Sequence, residues 1–148
     1  MTAEEIARHI KQGQYREALH CLGSLDTDRD AYLGLLQGKA LVGLERISDA
    51  IPVFLRSARA GGVTAGKAWL SAGICLRETG LDQQAREAFI RCLMHDPENG
   101  HARLDLCRLL YLAEKYRASL PHARWLLDKS PSINAALVFS ELKMWDKA

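Results

Sequence analysis

The sequence predicts an all-α fold, an α-solenoid in which about four helix pairs stack and one further C-terminal helix caps the last pair. Three observations predict it. A pattern of residues recurs about every 34 positions. Small and bulky side chains occupy fixed places within that pattern, and helix-start and helix-stop signals fall at its boundaries.

The recurring pattern is clearest in the middle of the chain. Its members there are Trp69, Ala72, Gly73, Leu76, Gly80, Ala85, Ala88, Phe89, Cys92 and Pro97. One period earlier the corresponding residues are Gly38, Leu41, Ala50, Phe54 and Gly62, and one period later they are Cys107, Leu110, Ser119, Ala123, Leu126 and Pro131. A degenerate first copy contains Gly13, Tyr15, Ala18, Leu22 and Leu25. We therefore predict a single domain, 1–148, with units at 2–28, 29–63, 65–97 and 98–131.

Each helix follows from the local sequence. The small residues of the pattern let two antiparallel helices approach at the lower end of the usual ~8–10 Å spacing, and the bulky residues fill the gaps beside them. Thr2 and Glu5 form a capping box, Pro97 separates a helix stop from a helix start, and Ser132 is an N-cap. The predicted helices are 2–11, 14–24, 29–43, 47–60, 65–79, 82–95, 98–113, 116–129 and the capping helix 132–146.

Two prolines fall inside these helices. Pro52 and Pro121 each lie two residues after the small residue of their helix, which is Ala50 in one and Ser119 in the other. We place both prolines in the first helical turn, where a missing backbone N–H matters less. Their shared place supports the register of the repeat.

The pattern resembles the tetratricopeptide repeat, which runs Trp, Leu-Gly, Tyr, Ala, Phe, Ala, Pro. Trp69, Gly73, Ala85, Phe89 and Pro97 match it, with conservative replacements at Ala72, Leu76 and Cys92. The departures are the short first copy, the missing Trp in the second and fourth copies, and Ser119 where Ala is usual. The resemblance covers nearly the whole chain. It implies a right-handed α-solenoid of about four TPR-like helix pairs plus a C-terminal capping helix.

Composition excludes several classes of function. The 148 residues hold 20 Lys and Arg against 18 Asp and Glu, a formal charge of +2 that is spread along the chain. Such a balance gives no field that would favour nucleic acid. No run of 18 or more apolar residues occurs, and the N-terminus is acidic. We therefore expect no membrane insertion and a cytoplasmic location.

Residues that often carry chemistry do not form a recognisable site here. The four cysteines, Cys21, Cys75, Cys92 and Cys107, lie in apolar helical patterns without C-x-x-C spacing. This favours small core residues, with a reactive thiol or a disulfide as the alternative. The histidines, which are His9, His20, His95, His101 and His122, lack zinc-site spacing, and the glycine motifs that bind phosphate or dinucleotides are absent. We expect no metal, no cofactor and no enzymatic activity.

A solenoid of this kind curves, and the first helices of successive pairs line its concave groove. The resemblance then implies four columns of groove-facing residues, 34 or 35 positions apart: Tyr32, Lys67, His101 and Ala135; Leu35, Leu70, Leu104 and Val138; Lys39, Ile74, Arg108 and Leu142; Val42, Arg77, Tyr111 and Trp145. The predicted peptide-binding residues are Tyr32, Leu35, Lys39, Lys67, Leu70, Ile74, Arg77, His101, Leu104, Arg108 and Tyr111.

These columns combine a row of leucines with several cations and two tyrosines, which suits a partner segment that has apolar anchors and some negative charge. Two alternatives stay open. The leucine row packs between neighbouring first helices, or the C-terminal helix itself occupies part of the groove. The paired asparagines with which some tetratricopeptide domains clamp a C-terminal carboxylate are absent, since those places carry Leu35 with Lys39, Ser71, and His101 with Asp105.

The expected function is therefore a protein–protein interaction module, an adaptor, co-chaperone or assembly scaffold that binds a peptide or helix of a partner in its groove. One alternative is a structural subunit that forms homo-oligomers through the exposed end of the stack. Another is a bacterial secretion-type chaperone, which rests on analogy of fold alone.

Overall fold

The computed structural model describes residues 2–129, which form eight α-helices and, within that range, no β-strand. In chain order these are α1 (Ala3–Lys11), α2 (Tyr15–Leu22), α3 (Ala31–Gly43), α4 (Ile47–Arg59), α5 (Ala65–Glu78), α6 (Asp82–His95), α7 (Gly100–Leu112) and α8 (Tyr116–Lys129). Every predicted boundary in this range lies within two residues of the observed one. The predicted capping helix 132–146 lies outside the described residues, as do Ala135, Val138, Leu142 and Trp145 of the four columns.

The helices are arranged as a stack of four pairs. Each helix contacts the next one along the chain, and α1 also contacts α3. This confirms the predicted all-α solenoid, whose units are held mainly by their immediate neighbours. Most core residues of α3 to α7 belong to one cluster that includes Phe54, Trp69 and Phe89. Smaller clusters lie around Ile6 and Leu22 in the first three helices and around Cys107 and Leu126 between α7 and α8.

Small residues allow the helices of a pair to approach closely, as the sequence predicts. A Cβ atom placed on Gly38 would lie 2.4 Å from the ring of Phe54, and one placed on Gly73 would lie 2.6 Å from the ring of Phe89. Both rings therefore pack directly against the backbone of the partner helix, at a position where only glycine leaves room for them. In the fourth pair Cys107 takes the glycine place and packs with Ala123, a smaller partner than phenylalanine.

Polar side chains fix several helix starts. The Thr2 hydroxyl accepts a hydrogen bond from the Glu5 amide at 3.2 Å, and the Glu5 carboxylate accepts one from the Thr2 amide at 3.0 Å. This confirms the predicted capping box. The Asp30 carboxylate caps α3, and the Asn99 side chain caps α7 by accepting from the Ala102 amide at 3.0 Å. Since Asn99 is the cap, α7 begins two residues later than predicted.

The turn inside each helix pair contains one residue with a left-handed backbone. These residues are Gly13 (φ 78°), Glu45 (φ 61°), Gly80 (φ 81°) and Glu114 (φ 60°), and each stands at the same place in its unit. Glycine adopts this conformation freely, whereas a residue with a Cβ atom is strained in it. The second and fourth units therefore share a strained glutamate where the first and third have glycine.

The same two units contain the helix prolines, and their predicted place is wrong. Since α4 begins at Ile47 and α8 at Tyr116, Pro52 and Pro121 are each the sixth residue of their helix. They lie in the second turn, so each removes one amide-to-carbonyl hydrogen bond of the helix. Both prolines are exposed, which leaves the freed carbonyl side of the helix open to water.

Candidate functional site

The first helices of the last three pairs, α3, α5 and α7, present the predicted groove residues with very different exposure. We call the surface made by these residues the groove face. Tyr32, Lys39, Lys67, His101 and Arg108 are exposed, while Leu70, Ile74, Arg77, Leu104 and Tyr111 are half-buried. Leu35 is only 1% exposed and belongs to the main core. The prediction that Leu35 contacts a ligand is corrected, because its side chain is packed within the solenoid. For Leu35, the alternative that the row packs between helices is the one observed.

A pocket opens on the groove face between α3 and α5. It has a volume of about 180 Å³ and is lined by Lys39, Val42, Phe54, Ser71, Ile74 and Cys75. Phe54 and Cys75 are buried and form the floor, whereas Lys39 and Val42 are exposed at the rim. Apart from the Lys39 amine and the Ser71 hydroxyl, the lining is apolar. We call this the α3–α5 pocket.

The α3–α5 pocket brings together two of the predicted site residues, Lys39 and Ile74. Val42, which is 37% exposed, belongs to the fourth column of the register, and Ser71 stands where a carboxylate clamp would have asparagine. The floor could not be found from the columns alone. Phe54 comes from α4, the second helix of its pair, and reaches the pocket because Gly38 lets its ring lie against α3.

Lys39, which lines this pocket, is influenced by the positive charges of two further lysines on the neighbouring first helices. Burial lowers the pKa of Lys39, and the positive charges of Lys67 and Lys11 lower it further. Lys11 ends α1, Lys39 lies in the middle of α3, and Lys67 lies in the first turn of α5. Within residues 2–129 none of the three forms an ion pair with a carboxylate. We call Lys11, Lys39 and Lys67 the lysine cluster.

The sequence predicts Lys39 and Lys67 as groove cations but not Lys11. The first copy of the repeat is too short for the register to assign columns to α1. A signal was nevertheless present, since Lys11 lies one helix pair before Lys39 and directly precedes the turn around Gly13.

Arg77 is not a free cation of the groove. Its guanidinium Nη1 lies 2.5 Å from Oδ1 of Asp105, which joins α5 to α7. The Asp105 side chain is 11% exposed, so this ion pair is largely shielded from water on the acidic side. The positive charge expected at Arg77 is therefore balanced within the protein. The sequence does not reveal this pairing because Asp105 stands outside the four columns of the register.

Two predicted residues of α7 line a cavity other than the α3–α5 pocket. His101 and Leu104 line a second cavity of about 540 Å³ between α7 and α8, together with Glu98, Gly100, Trp125, Leu126 and Lys129. This cavity lies where the described residues end. Tyr111 packs its ring edge-on against Tyr116 of α8, with ring centroids 5.3 Å apart. The predicted groove residues are therefore distributed over at least two sites.

The cysteines lie in the helices as small side chains. All four are free, Cys75, Cys92 and Cys107 are buried, and Cys21 is half-buried. Burial raises the pKa of each of the three buried thiols to about 11. Over residues 2–129 no group of three or more His, Cys, Asp and Glu side chains is placed to hold a metal ion. No helix in the same range combines the length and apolar character that crossing a membrane requires.

A repeated helix pair whose first helices carry an accessible pocket defines a solenoid of the protein-interaction class. Residues 35–97 match the model of the tetratricopeptide repeat family. These two central helix pairs are therefore tetratricopeptide repeats, and such repeats are protein–protein interaction modules in general. This confirms the family resemblance found in the sequence.

Solved structures share the fold at low sequence identity. MamA AMB-1 superposes with a TM-score of 0.80 at 18% identity. The match covers 98% of this chain and 86% of the MamA chain. YrrB, described as a TPR protein with an unusual peptide-binding site, superposes with a TM-score of 0.72 at 20% identity. The match covers 90% of this chain and 69% of the YrrB chain. The TPR domain of Arabidopsis OM64 superposes with a TM-score of 0.68 at 16% identity. The match covers 77% of this chain and 94% of the OM64 chain. No curated protein sequence matches the chain.

Proposed function

We propose that this protein binds a peptide segment or a helix of a partner protein on its groove face, with one apolar side chain of the partner seated in the α3–α5 pocket. The observation that carries the proposal is the pocket itself. It places the accessible apolar surface of Val42 and Ile74 above a floor formed by Phe54. A concave apolar site with a few polar groups at its edge is the usual form of a recognition pocket.

The floor of the pocket is held in place by the core, which favours binding. Phe54 is 1% exposed and its ring is fixed against Gly38. A ligand side chain would therefore meet a surface that is already formed, and little ordering would be needed on binding. YrrB, which has the same fold, is described as having a peptide-binding site, and this supports the same class of ligand here. An adaptor, co-chaperone or assembly scaffold would each use such a site.

Site-specific photo-crosslinking tests the proposal. A photoreactive amino acid is placed at Ser71, which lines the pocket, or at Gln83, an exposed position of α6. We expect crosslinks to a partner protein from Ser71 and not from Gln83. Replacing both Val42 and Ile74 with Asn removes the apolar anchor surface and should reduce crosslinking from Ser71 by about tenfold or more.

The matched control is Ile90→Asn, because Ile90 is an exposed apolar residue of α6, on a second helix of the stack. Circular dichroism shows whether each variant remains folded. Undiminished crosslinking from Ser71 in a folded V42N/I74N variant contradicts the proposal. Crosslinks from Ser71 only to a second copy of this chain, with a dimer in light scattering, would instead support the homo-oligomeric subunit.

A further inference from the structure

Building on the proposed function, we propose that the α3–α5 pocket selects an acidic partner segment. One apolar side chain of that segment enters the pocket, and Asp or Glu side chains on either side of it meet the lysine cluster of Lys11, Lys39 and Lys67. The inference concerns which peptide is bound, whereas the proposed function concerns only where a peptide binds.

The charges of the described residues point to this ligand. Five arginines have a carboxylate partner within the protein: Arg29, Arg46, Arg56, Arg77 and Arg91. The three lysines of the cluster have none within residues 2–129, and after burial the charges of Lys67 and Lys11 lower the pKa of Lys39 further. Within residues 2–129 no ion pair relieves this repulsion, and carboxylates from a ligand would relieve it.

The position of the cluster fixes where the acidic segment lies. Lys39 is both a member of the cluster and a lining residue of the pocket, so its amine is next to the apolar site. At the α7 side of the groove face, Asp105 already neutralises Arg77. Arg108 remains exposed on that side, whereas the lysine cluster supplies three positive charges on α1, α3 and α5. We infer that the acidic segment crosses α5, α3 and α1.

A peptide fits these features better than a nucleic acid does. Three lysines are a small electrostatic footprint, and the formal charge of the whole chain is only +2. The one aromatic ring of the lining, Phe54, is buried as the floor, so the pocket offers no exposed aromatic face on which a base would stack. Because lysine amines act as separate point charges, the cluster suits several side-chain carboxylates spaced along a segment.

Selection from a library of random dodecamer peptides tests the inference without a known partner. The peptides are displayed with their C-terminus fused to the phage coat, so that only internal carboxylates are offered. The same library is selected against the protein as it stands, against K39Q/K67Q, and against K115Q/K129Q. The last variant loses the same two charges from exposed lysines at the opposite end of the chain.

We expect the unchanged protein and K115Q/K129Q to enrich peptides with Asp or Glu beside a bulky apolar residue, and K39Q/K67Q to lose the acidic preference. A peptide from the enriched set should bind K39Q/K67Q about tenfold more weakly at low salt, and this difference should shrink as salt rises. An acidic preference that persists in K39Q/K67Q overturns the inference. So does a set of enriched peptides without acidic residues, or the absence of any enrichment on the unchanged protein.

Two further measurements separate other anionic ligands. The enriched peptide is synthesised with a C-terminal amide and with a free carboxylate, and we expect equal affinities. A strict requirement for the free carboxylate would assign the cluster to chain ends instead. Tighter binding of a single-stranded thymidine oligonucleotide, abolished in K39Q/K67Q, would assign it to nucleic acid. Either outcome overturns the inference.

The proposed function can survive failure of this inference. If Ser71 still crosslinks a partner and V42N/I74N abolishes the crosslink, while K39Q/K67Q has no effect on it, the groove binds a peptide without selecting for charge. If the Ser71 crosslinks are also absent or insensitive to V42N/I74N, the proposed function fails as well.

Discussion

Arg77 and Asp105 join two consecutive first helices through a guanidinium-to-carboxylate contact of 2.5 Å. The pair neutralises Arg77, whereas Arg108 and the lysine cluster have no carboxylate partner within residues 2–129. It also stabilises the stack, since Asp105 is buried at the interface between the third and fourth helix pairs.

Removing the Asp105 charge should destabilise the protein. In Asp105→Asn the half-buried Arg77 guanidinium loses its ionic partner, and we expect the free energy of unfolding to fall by about 1–3 kcal/mol. The measurement is urea unfolding followed by circular dichroism. Asp49→Asn is the control, since Asp49 pairs with Arg46 at an exposed site. That variant should change the free energy of unfolding by less than about 1 kcal/mol. Equal losses in the two variants would show that the Arg77–Asp105 pair contributes no more to the free energy of unfolding than the exposed Arg46–Asp49 pair.

Two glycines of α5 should respond in opposite directions to alanine. In Gly73→Ala the new Cβ would lie 2.6 Å from the ring of Phe89, so the helices must separate. We expect a loss of about 1–3 kcal/mol in the free energy of unfolding. A Cβ atom placed on Gly66 would meet nothing nearer than 3.5 Å. Gly66→Ala should therefore raise the free energy of unfolding by roughly 0.5–1 kcal/mol, because alanine has the higher helix propensity. Thermal unfolding of both variants checks this. A stabilised Gly73→Ala protein would contradict the close approach.

The left-handed turn residues make a paired prediction. Gly80→Ala places a Cβ atom on a backbone with φ 81°, and we expect a loss of about 1–2 kcal/mol. Glu45→Gly, at the equivalent place in the second unit, should raise the free energy of unfolding, by roughly 0.5 kcal/mol. This gain is smaller because glycine also gains freedom in the unfolded chain. Denaturant unfolding of each variant gives the values. If both substitutions change stability in the same direction, the turns are not equivalent.

The buried thiols should make stability depend on alkaline pH. In the unfolded chain these cysteines ionise near their ordinary pKa of 9.0, whereas burial raises the pKa of Cys75, Cys92 and Cys107 to about 11 in the folded protein. Between these pH values the unfolded state has released protons that the folded state retains, so raising the pH favours unfolding. We expect the free energy of unfolding to fall from pH 9 to pH 11, and to fall less steeply in Cys92→Ala.

Thiol labelling tests the same burial independently. At pH 8 a thiol with a pKa of about 11 is ionised in only about one molecule in a thousand, so Cys75, Cys92 and Cys107 should react slowly with a disulfide reagent. Cys21 is half-buried and should react first. Cys21→Ser should then remove the fast phase of labelling. A fast phase that persists in this variant would show that another thiol is accessible.

The fold was predictable because its determinants are local. Gly73 and Phe89, or Gly38 and Phe54, stand at a fixed distance in the sequence, and their sizes alone dictate how closely the two helices of a pair can lie. The helix bounds follow from the same periodicity and from caps such as Thr2. Pro52 is a local exception, since it is the sixth residue of α4 and therefore lies in the second turn although the start of the helix was predicted correctly.

The candidate site was predictable only in part, because it depends on contacts between units. The register correctly grouped Lys39 with Ile74. It could not show that Leu35 turns into the core, that Arg77 meets Asp105, or that Lys11 approaches Lys39. These features depend on the rotation between successive pairs and on side-chain direction, and residues that share a column can differ completely in both.

The dominance of contacts between neighbouring helices means that the chain can open from its ends without disturbing its centre. Amide hydrogens of α1 would exchange with solvent through such partial opening, while those of α4 to α6 would exchange only when the whole stack unfolds. Two of the elements that line the α3–α5 pocket, α4 and α5, belong to this slowly exchanging centre. A partner would therefore bind to a rigid, preformed site. The strength of binding would reflect the contacts made rather than the entropy of assembling the site.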